Sequence, residues 1–177
     1  MNETLFPDLP ADPAEPTSRP VERRGFVIRT DGAARGNPGP ASLGAALYDL
    51  TRPDARVDGA APDASISDYL GVQTNNVAEY SGVVRALDLA RELGAREVHL
   101  LLDSKLIVEQ LAGRWRVKDA KLIPLWTAAR TTLAGFERWS AVHVPRARNH
   151  VADALANEAI DRVARGGPAS VVRRPGD

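Results

Sequence analysis

The sequence predicts an α/β domain in which helices cover both faces of a five-stranded mixed sheet of order 3-2-1-4-5. Strands 1 to 3 form an antiparallel meander, and strand 4 lies parallel to strand 1. Three observations carry this expectation. Residues 25 to 73 hold three strand-like runs separated by connections rich in Gly, Pro and Asp. From Thr74 the apolar period changes to that of a helix. The run "EVHLLLD", ending at Asp103, is short and almost continuously apolar, as in a strand buried on both faces of a parallel sheet.

Taken in order, "GFVIRTD" reads as strand 1, "SLGAALYDL" as strand 2 and the stretch around "SISDYLGV" as strand 3. The connection "TDGAARGNPGP", Thr30 to Pro40, has the glycines of a phosphate-cradling loop. A P-loop, however, reads GxxxxGK[ST] and opens a helix, whereas here there is no Gly-Lys pair and Pro38 and Pro40 each remove an N–H donor. Pro38-Gly39 suits the two central positions of a type II turn, so the stretch is a hairpin connection and Asp31 is its chemical element. The first helix puts Tyr80, Val83, Val84, Leu87 and Ala90 on one face and stops at Gly94. Helices over about 104 to 112 and 119 to 134 follow "EVHLLLD", the second with Leu122, Leu125, Trp126, Ala129 and Leu133 at core spacing. Strand 5 is "WSAVHVP", with Trp139 another core residue, and a last helix runs from about Asn149 to Arg165 before Gly166-Gly167-Pro168 stops it.

A strand–helix–strand unit crosses over right-handed, which carries strand 4 past the hairpin to the free side of strand 1. In open sheets of this kind ligands bind beyond the carboxyl ends of the strands that flank the change in direction. Those strands end in Asp31 and Asp103.

The 177 residues suit a single domain, expected over residues 25–165. A Pro-rich acidic tail over residues 1–24, with Pro7, Pro10, Pro13, Pro16 and Pro20, is expected to stay extended and mobile, and residues 166–177 to form a flexible C-terminal tail. The N-terminal tail reads either as a spacer or, through "LFPDLP", as a docking segment for a partner. There is no cysteine, which excludes disulfides, zinc-thiolate sites and thiol nucleophiles, so any metal sits on oxygen or imidazole ligands. No apolar run reaches the length of a membrane span and the N-terminus lacks the order of a signal peptide, so a cytoplasmic monomer with no membrane partner is expected. The net charge is zero, yet residues 1 to 18 carry Glu3, Asp8, Asp12 and Glu15 with no Lys or Arg, so the rest of the chain is net basic.

Four acids are candidates for chemistry, and each taken singly has a structural reading. Asp31 precedes Gly32 at a strand end and is a common turn former. Glu79 stands three residues after Asn76, the spacing of a capping box. Asp103 can cap the helix that begins near Ser104, and Asp153 sits in the first turn of the last helix, where the dipole favours negative charge. Those readings leave the coincidence unexplained, because two of the acids end adjacent parallel strands and Glu79 lies beside its helix's apolar stripe. Clustered, poorly solvated carboxylates repel one another and bind protons unless a cation compensates. Hard divalent cations suit such a set, since Mg²⁺ takes oxygen ligands and leaves positions for substrate phosphates.

The segments "TDGAARGNPGP", "TNNVAEYSGVVRAL", "LLDSKLIVEQL" and "VPRARNHVADALANEA" together resemble ribonuclease H of the type-one (ribonuclease HI) family over about Gly25 to Arg165. The resemblance implies the ribonuclease H-like fold and an endoribonuclease that cleaves the RNA strand of RNA–DNA hybrids by two-metal-ion phosphodiester hydrolysis, leaving 5′-phosphate and 3′-hydroxyl ends. It places Asp31, Glu79, Asp103 and Asp153 on the metal-binding catalytic carboxylates, served by two Mg²⁺ ions for which Mn²⁺ can substitute. It also implies that Asn37, Asn75 and Asn76 touch the minor groove of the hybrid, with turn and cap duty as the other reading. Their amides both donate and accept, as recognition of a 2′-hydroxyl and base edges requires. Ser104 either contacts phosphate or caps a helix.

Two departures from the family pattern stand out. The Lys-rich helical handle of many bacterial members is missing, and "LAGRWRVKDAKLIPLW" passes almost directly to the next helix. Arg114, Trp115, Arg116, Lys118 and Lys121 remain as a basic cluster with one aromatic, either a phosphate track or a solvated turn. The mobile His of the loop before the last helix is also missing. "VPRARN" instead resembles a short subgroup in which Arg146 occupies that loop, so Arg146 receives an auxiliary role. His143 and His99 read as strand residues, and His150 stands three residues from Asp153. The rival readings are a non-catalytic hybrid- or RNA-binding module, and a DNA-cutting nuclease or transposase on the same fold.

Overall fold

The computed structural model describes residues 24–177. The expectations for the N-terminal tail fall on residues outside that range. Its elements are β1 (Gly25–Ala34), β2 (Gly39–Asp49), β3 (Ala64–Gln73), α1 (Asn75–Glu92), β4 (Glu97–Leu102), α2 (Lys105–Leu111), α3 (Ile123–Ala134), β5 (Arg138–His143), a 3-10 turn (Arg146–Arg148), α4 (His150–Ala164) and β6 (Ser170–Arg173). The sheet runs β5-β4-β1-β2-β3-β6. β1 pairs antiparallel with β2 and parallel with β4, and β4 pairs parallel with β5.

The expected order is therefore present, with one strand more. Residues 166–177, read from sequence as a flexible tail, carry β6, which pairs antiparallel with the outer edge of β3. The segment is fastened by side chains that the pattern of prolines and glycines does not reveal. Arg162 donates from Nε to the carbonyl of Pro168 (2.7 Å) and from Nη2 to that of Ser67 (2.7 Å), Ser170 Oγ donates to Asp68 Oδ1 (2.5 Å), and Arg174 pairs with Glu92 at 3.0 Å.

β1 is central because its first eight residues are buried from both sides, and alternation divides them between two cores. Phe26 and Ile28 join Leu43, Leu47, Ile66, Leu87 and Leu100 in the larger core, beneath α1 and α3. Each such fully buried side chain contributes roughly 1.5–3 kcal/mol. Val27 joins Ala46, Tyr48 and Leu101 in the smaller core on the opposite face. There α4 lies close against β2, since a Cβ on Gly44 would overlap the backbone of Ala152 and Ala156. Ser42 donates its hydroxyl to the carbonyl of Ala156, and Ser67 donates to that of Leu155 at 2.7 Å.

The β1–β2 hairpin differs from the expected type II turn. The Asn37–Pro38 peptide is cis, and the positive φ falls on Gly36 (109°) rather than on Gly39. The third helix starts later than expected, because residues 119 to 122 form a turn in which Lys121 N donates to Asp119 Oδ1 (2.9 Å) and Leu122 N to Asp119 O (3.0 Å).

Candidate active site

Four elements converge at the carboxyl ends of β1 and β4. Asp31 sits near the end of β1, only 2% exposed. Its Oδ1 accepts from Gly32 N (2.9 Å), while its Oδ2 is buried with no partner among the described residues. Glu79 projects from the first turns of α1, which Thr74 caps by accepting from Val77 N (3.3 Å). Glu79 thus has no capping duty. It reaches Asp31 because Gly32 has no side chain: a Cβ there would overlap Glu79 N and lie 2.6 Å from the carbonyl carbon of Ala78. Asp103 follows directly on β4, and the cap of α2 is Ser104, which accepts from Ile107 N (3.3 Å). One carboxylate oxygen from each of Asp31, Glu79 and Asp103 lies within 4.8 Å of the others.

Asp153 stands outside that group of three, one turn into α4, where its Oδ1 accepts from Asn157 Nδ2 (3.3 Å). Its negative charge still acts on Asp31. Burial, then the charge of Asp103, raises the Asp31 pKa to about 7. Burial, then the charges of Asp31 and Asp103, raises Glu79 to about 9. Without a cation the pair therefore binds protons far more readily near neutral pH than isolated carboxyl groups do. An orphaned buried oxygen on Asp31, a set of hard oxygen donors and mutual repulsion together fit a hard divalent cation.

A pocket of about 250 Å³ is lined by Gly32, Asn75, Asn76, Glu79, Asp103, Ser104 and Arg146. The structure therefore brings Asn75, Asn76, Ser104 and Arg146 to the acids. Asn37 is outside this lining, and its Oδ1 accepts from Asn75 N (3.1 Å), which ties the hairpin to the start of α1. Arg146 also borders a second cavity with Ala147, His150 and Asp153. His143 reaches the same end of the sheet through Nε2 and the Asp103 carbonyl (3.2 Å). His99 does not: it bonds Ser140 (2.6 Å) and Glu97 (2.8 Å) further back along the strands.

The family description "reverse transcriptase-like" matches residues 29–159. The bifunctional protein Rv2228c of Mycobacterium tuberculosis is 46% identical over 138 residues, which make up 78% of this chain and 36% of that protein. RNase H1 from the halophilic archaeon Halobacterium salinarum is 42% identical in its crystal structure, with a TM-score of 0.70 over 77% of this chain and 98% of that one. The chain belongs to the ribonuclease H family. Another ribonuclease H of known structure, LC11-RNase H1 in complex with an RNA/DNA hybrid, is 36% identical, with a TM-score of 0.70 over 78% of this chain and 99% of that chain. The chain spans only about a third of the length of the mycobacterial relative.

Two polar residues beside this acid cluster were not singled out from the sequence. Arg29 is buried within β1, and Asn149, only 1% exposed, precedes α4. Asn149 looks like a helix cap, yet its side chain caps nothing and its Nδ2 donates to the carbonyl of Thr30 (2.8 Å). The available signal was the alternation Val27, Arg29, Asp31, which puts a charge at an inward position of a buried strand.

Proposed function

We propose that this chain hydrolyses the RNA strand of RNA–DNA hybrids endonucleolytically, leaving 5′-phosphate and 3′-hydroxyl ends. The observation that carries the reading is the convergence of Asp31, Glu79 and Asp103 within 4.8 Å at the carboxyl ends of two adjacent parallel strands, in a chain of the ribonuclease H family. A similar protein has been solved with an RNA/DNA hybrid bound, which supports the choice of substrate.

Asp31, Glu79, Asp103 and Asp153 would hold two Mg²⁺ ions, or Mn²⁺ in their place. When bound, these supply the positive charge that an in-line phosphoryl displacement needs on its attacking and leaving oxygens. The chain's own residues position the substrate. Asn75 and Asn76 border the acid-lined pocket with amides that can read a 2′-hydroxyl, and Asn37 braces Asn75. Ser104 spends its oxygen on capping α2 and offers its hydroxyl hydrogen to a phosphate. Arg146 brings a fork of N–H donors suited to phosphate oxygens.

We further assign the chain to the short subgroup without a basic protrusion. The direct passage from α2 to α3 through residues 112–122 supports this, as does Arg146 in the loop before α4. Substrate grip then falls to the groove of Arg114, Trp115, Arg116 and Trp126, where Lys105 lies over the Trp115 ring at 5.9 Å. The test is digestion of end-labelled RNA–DNA hybrid and duplex DNA in parallel. RNA fragments with 5′-phosphates from the hybrid, and intact duplex DNA, are expected; cleavage of the DNA duplex instead would transfer the chain to a DNA-cutting class. Deleting residues 1 to 22 leaves kcat on hybrid unchanged if the N-terminal segment is a spacer, and a large loss would assign it a docking role.

A further inference from the structure

Arg29 is a buried cation that the proposed chemistry leaves without a task. It lies two residues before Asp31 on the same face of β1, and it is 4% exposed. Its cross-strand neighbours are Ala46 and Leu101, so an apolar side chain would suit the position. Burying a guanidinium is costly unless its donors find good partners. No ion pair to Arg29 occurs among the described residues. Its partners are backbone carbonyls: Nη1 donates to that of Arg148 (2.7 Å) and Nη2 to that of Arg56 (3.2 Å).

Those contacts hold the segment that enters α4. Arg148 ends the 3-10 turn that begins with Arg146, and the next residue, Asn149, donates to the carbonyl of Thr30 (2.8 Å). Two adjacent residues of β1 thus grip two adjacent residues of the loop, Arg29 to Arg148 and Thr30 to Asn149. Two residues before Arg148 stands Arg146, in the acid-lined pocket. One helical turn after Asn149 stands Asp153, acting on Asp31. The second nitrogen extends the grip to the β2–β3 connection at Arg56.

We propose that Arg29 is a positioning residue: with Asn149 it latches the Arg146–Arg148 turn and the start of α4 onto β1, and so sets where Arg146 and Asp153 stand relative to Asp31. The reaction it serves rests on the ribonuclease reading; the latch itself does not.

The test compares the full chain with Arg29→Met and Arg29→Lys, each alone and combined with Arg146→Ala. Methionine keeps an apolar stem and removes the donors, while lysine keeps the charge and can reach one carbonyl. In the Met variant kcat on hybrid falls on the order of tenfold, since small displacements of catalytic groups are costly. The Lys variant lies between it and the parent. Hydrogen exchange of amides 146 to 153 speeds up while that of α1 and β4 stays unchanged. The effect of Arg146→Ala shrinks in the Met background, because the turn that carries Arg146 has already moved. Parental kcat and exchange in the Met variant would overturn the latch. So would additive effects of the two substitutions, or exchange accelerated evenly across the sheet, which marks a merely structural role. If the parent cuts no hybrid at all, the ribonuclease reading fails, and the exchange measurement still decides the latch.

Discussion

Asp31 near the end of β1 and Glu79 on α1 bring carboxylate oxygens within 4.8 Å of each other across a helix–strand contact too close for a side chain at position 32. Burial and then the charge of Asp103 raise Asp31 to about 7, and burial and then the charges of Asp31 and Asp103 raise Glu79 to about 9, from ordinary values of 3.8 and 4.5.

The sign of the resulting pH dependence follows from linkage. Both groups bind protons more tightly in the folded chain than in the unfolded one. Their contribution to stability is complete below the ordinary values and is lost as pH rises through about 7 and then about 9. Urea unfolding in EDTA is therefore expected to show stability falling from mildly acidic to mildly alkaline pH, and saturating Mg²⁺ to flatten that fall. Metal-free stability that climbs over the same interval would contradict the assignment.

Asp103→Asn removes one negative charge from the cluster without changing the side chain's shape. Cleavage of hybrid is expected to disappear, while the metal-free protein melts at an equal or higher temperature. Relief of about 1 kcal/mol corresponds to a rise of about 2–4 °C for a chain of this size. Calorimetric melting beside a turnover assay checks both halves, and substantial residual turnover would remove Asp103 from the mechanism.

Gly32→Ala forces a Cβ into the backbone of Ala78 and Glu79, where no flexible side chain can yield. A loss of about 1–3 kcal/mol is expected from overpacking of this kind. Activity is expected to fall as well, because α1 must move away from β1 and carry Glu79 from Asp31. Denaturant titration and a hybrid digest on the same preparation measure the two effects, and an alanine variant with parental stability would refute the close approach.

Truncation after Gly167 removes β6, leaving the edge of β3 unpaired and Asp68 and Glu92 without Ser170 and Arg174. A drop of several degrees in Tm is expected, on the order of 2 °C or more for each kcal/mol lost. An unchanged Tm would show β6 to be energetically idle.

The sequence carried the sheet order because its information is local and repetitive: alternation in the strands, a change of period at Thr74, and the apolar run before Asp103. The acids were legible for the same reason, since Asp31 and Asp103 end strands whose adjacency follows from a chirality rule. What was not legible depends on long-range side-chain contacts. β6 is short and polar in appearance, and it is a strand because Arg162, Asp68 and Glu92, distant in sequence, hold it there. Thr74 shows the limit at finer scale: the sequence named Asn76 as a possible cap of α1 and the structure gives that cap to Thr74, whereas of the two caps the sequence offered for α2, Asp103 and Ser104, the structure selects Ser104. Arg29 was hidden among apolar strand residues, and its meaning appears only once the 3-10 turn is brought against β1.

The central claim is that four carboxylates from separate elements work through divalent cations on RNA. Single-turnover cleavage of a labelled RNA–DNA hybrid across a Mg²⁺ series tests it most directly. The account predicts no cutting in EDTA, a rate that rises with Mg²⁺, and RNA fragments that begin with a 5′-phosphate. Cutting that ignores EDTA, or none at any concentration of Mg²⁺ or Mn²⁺, would contradict it.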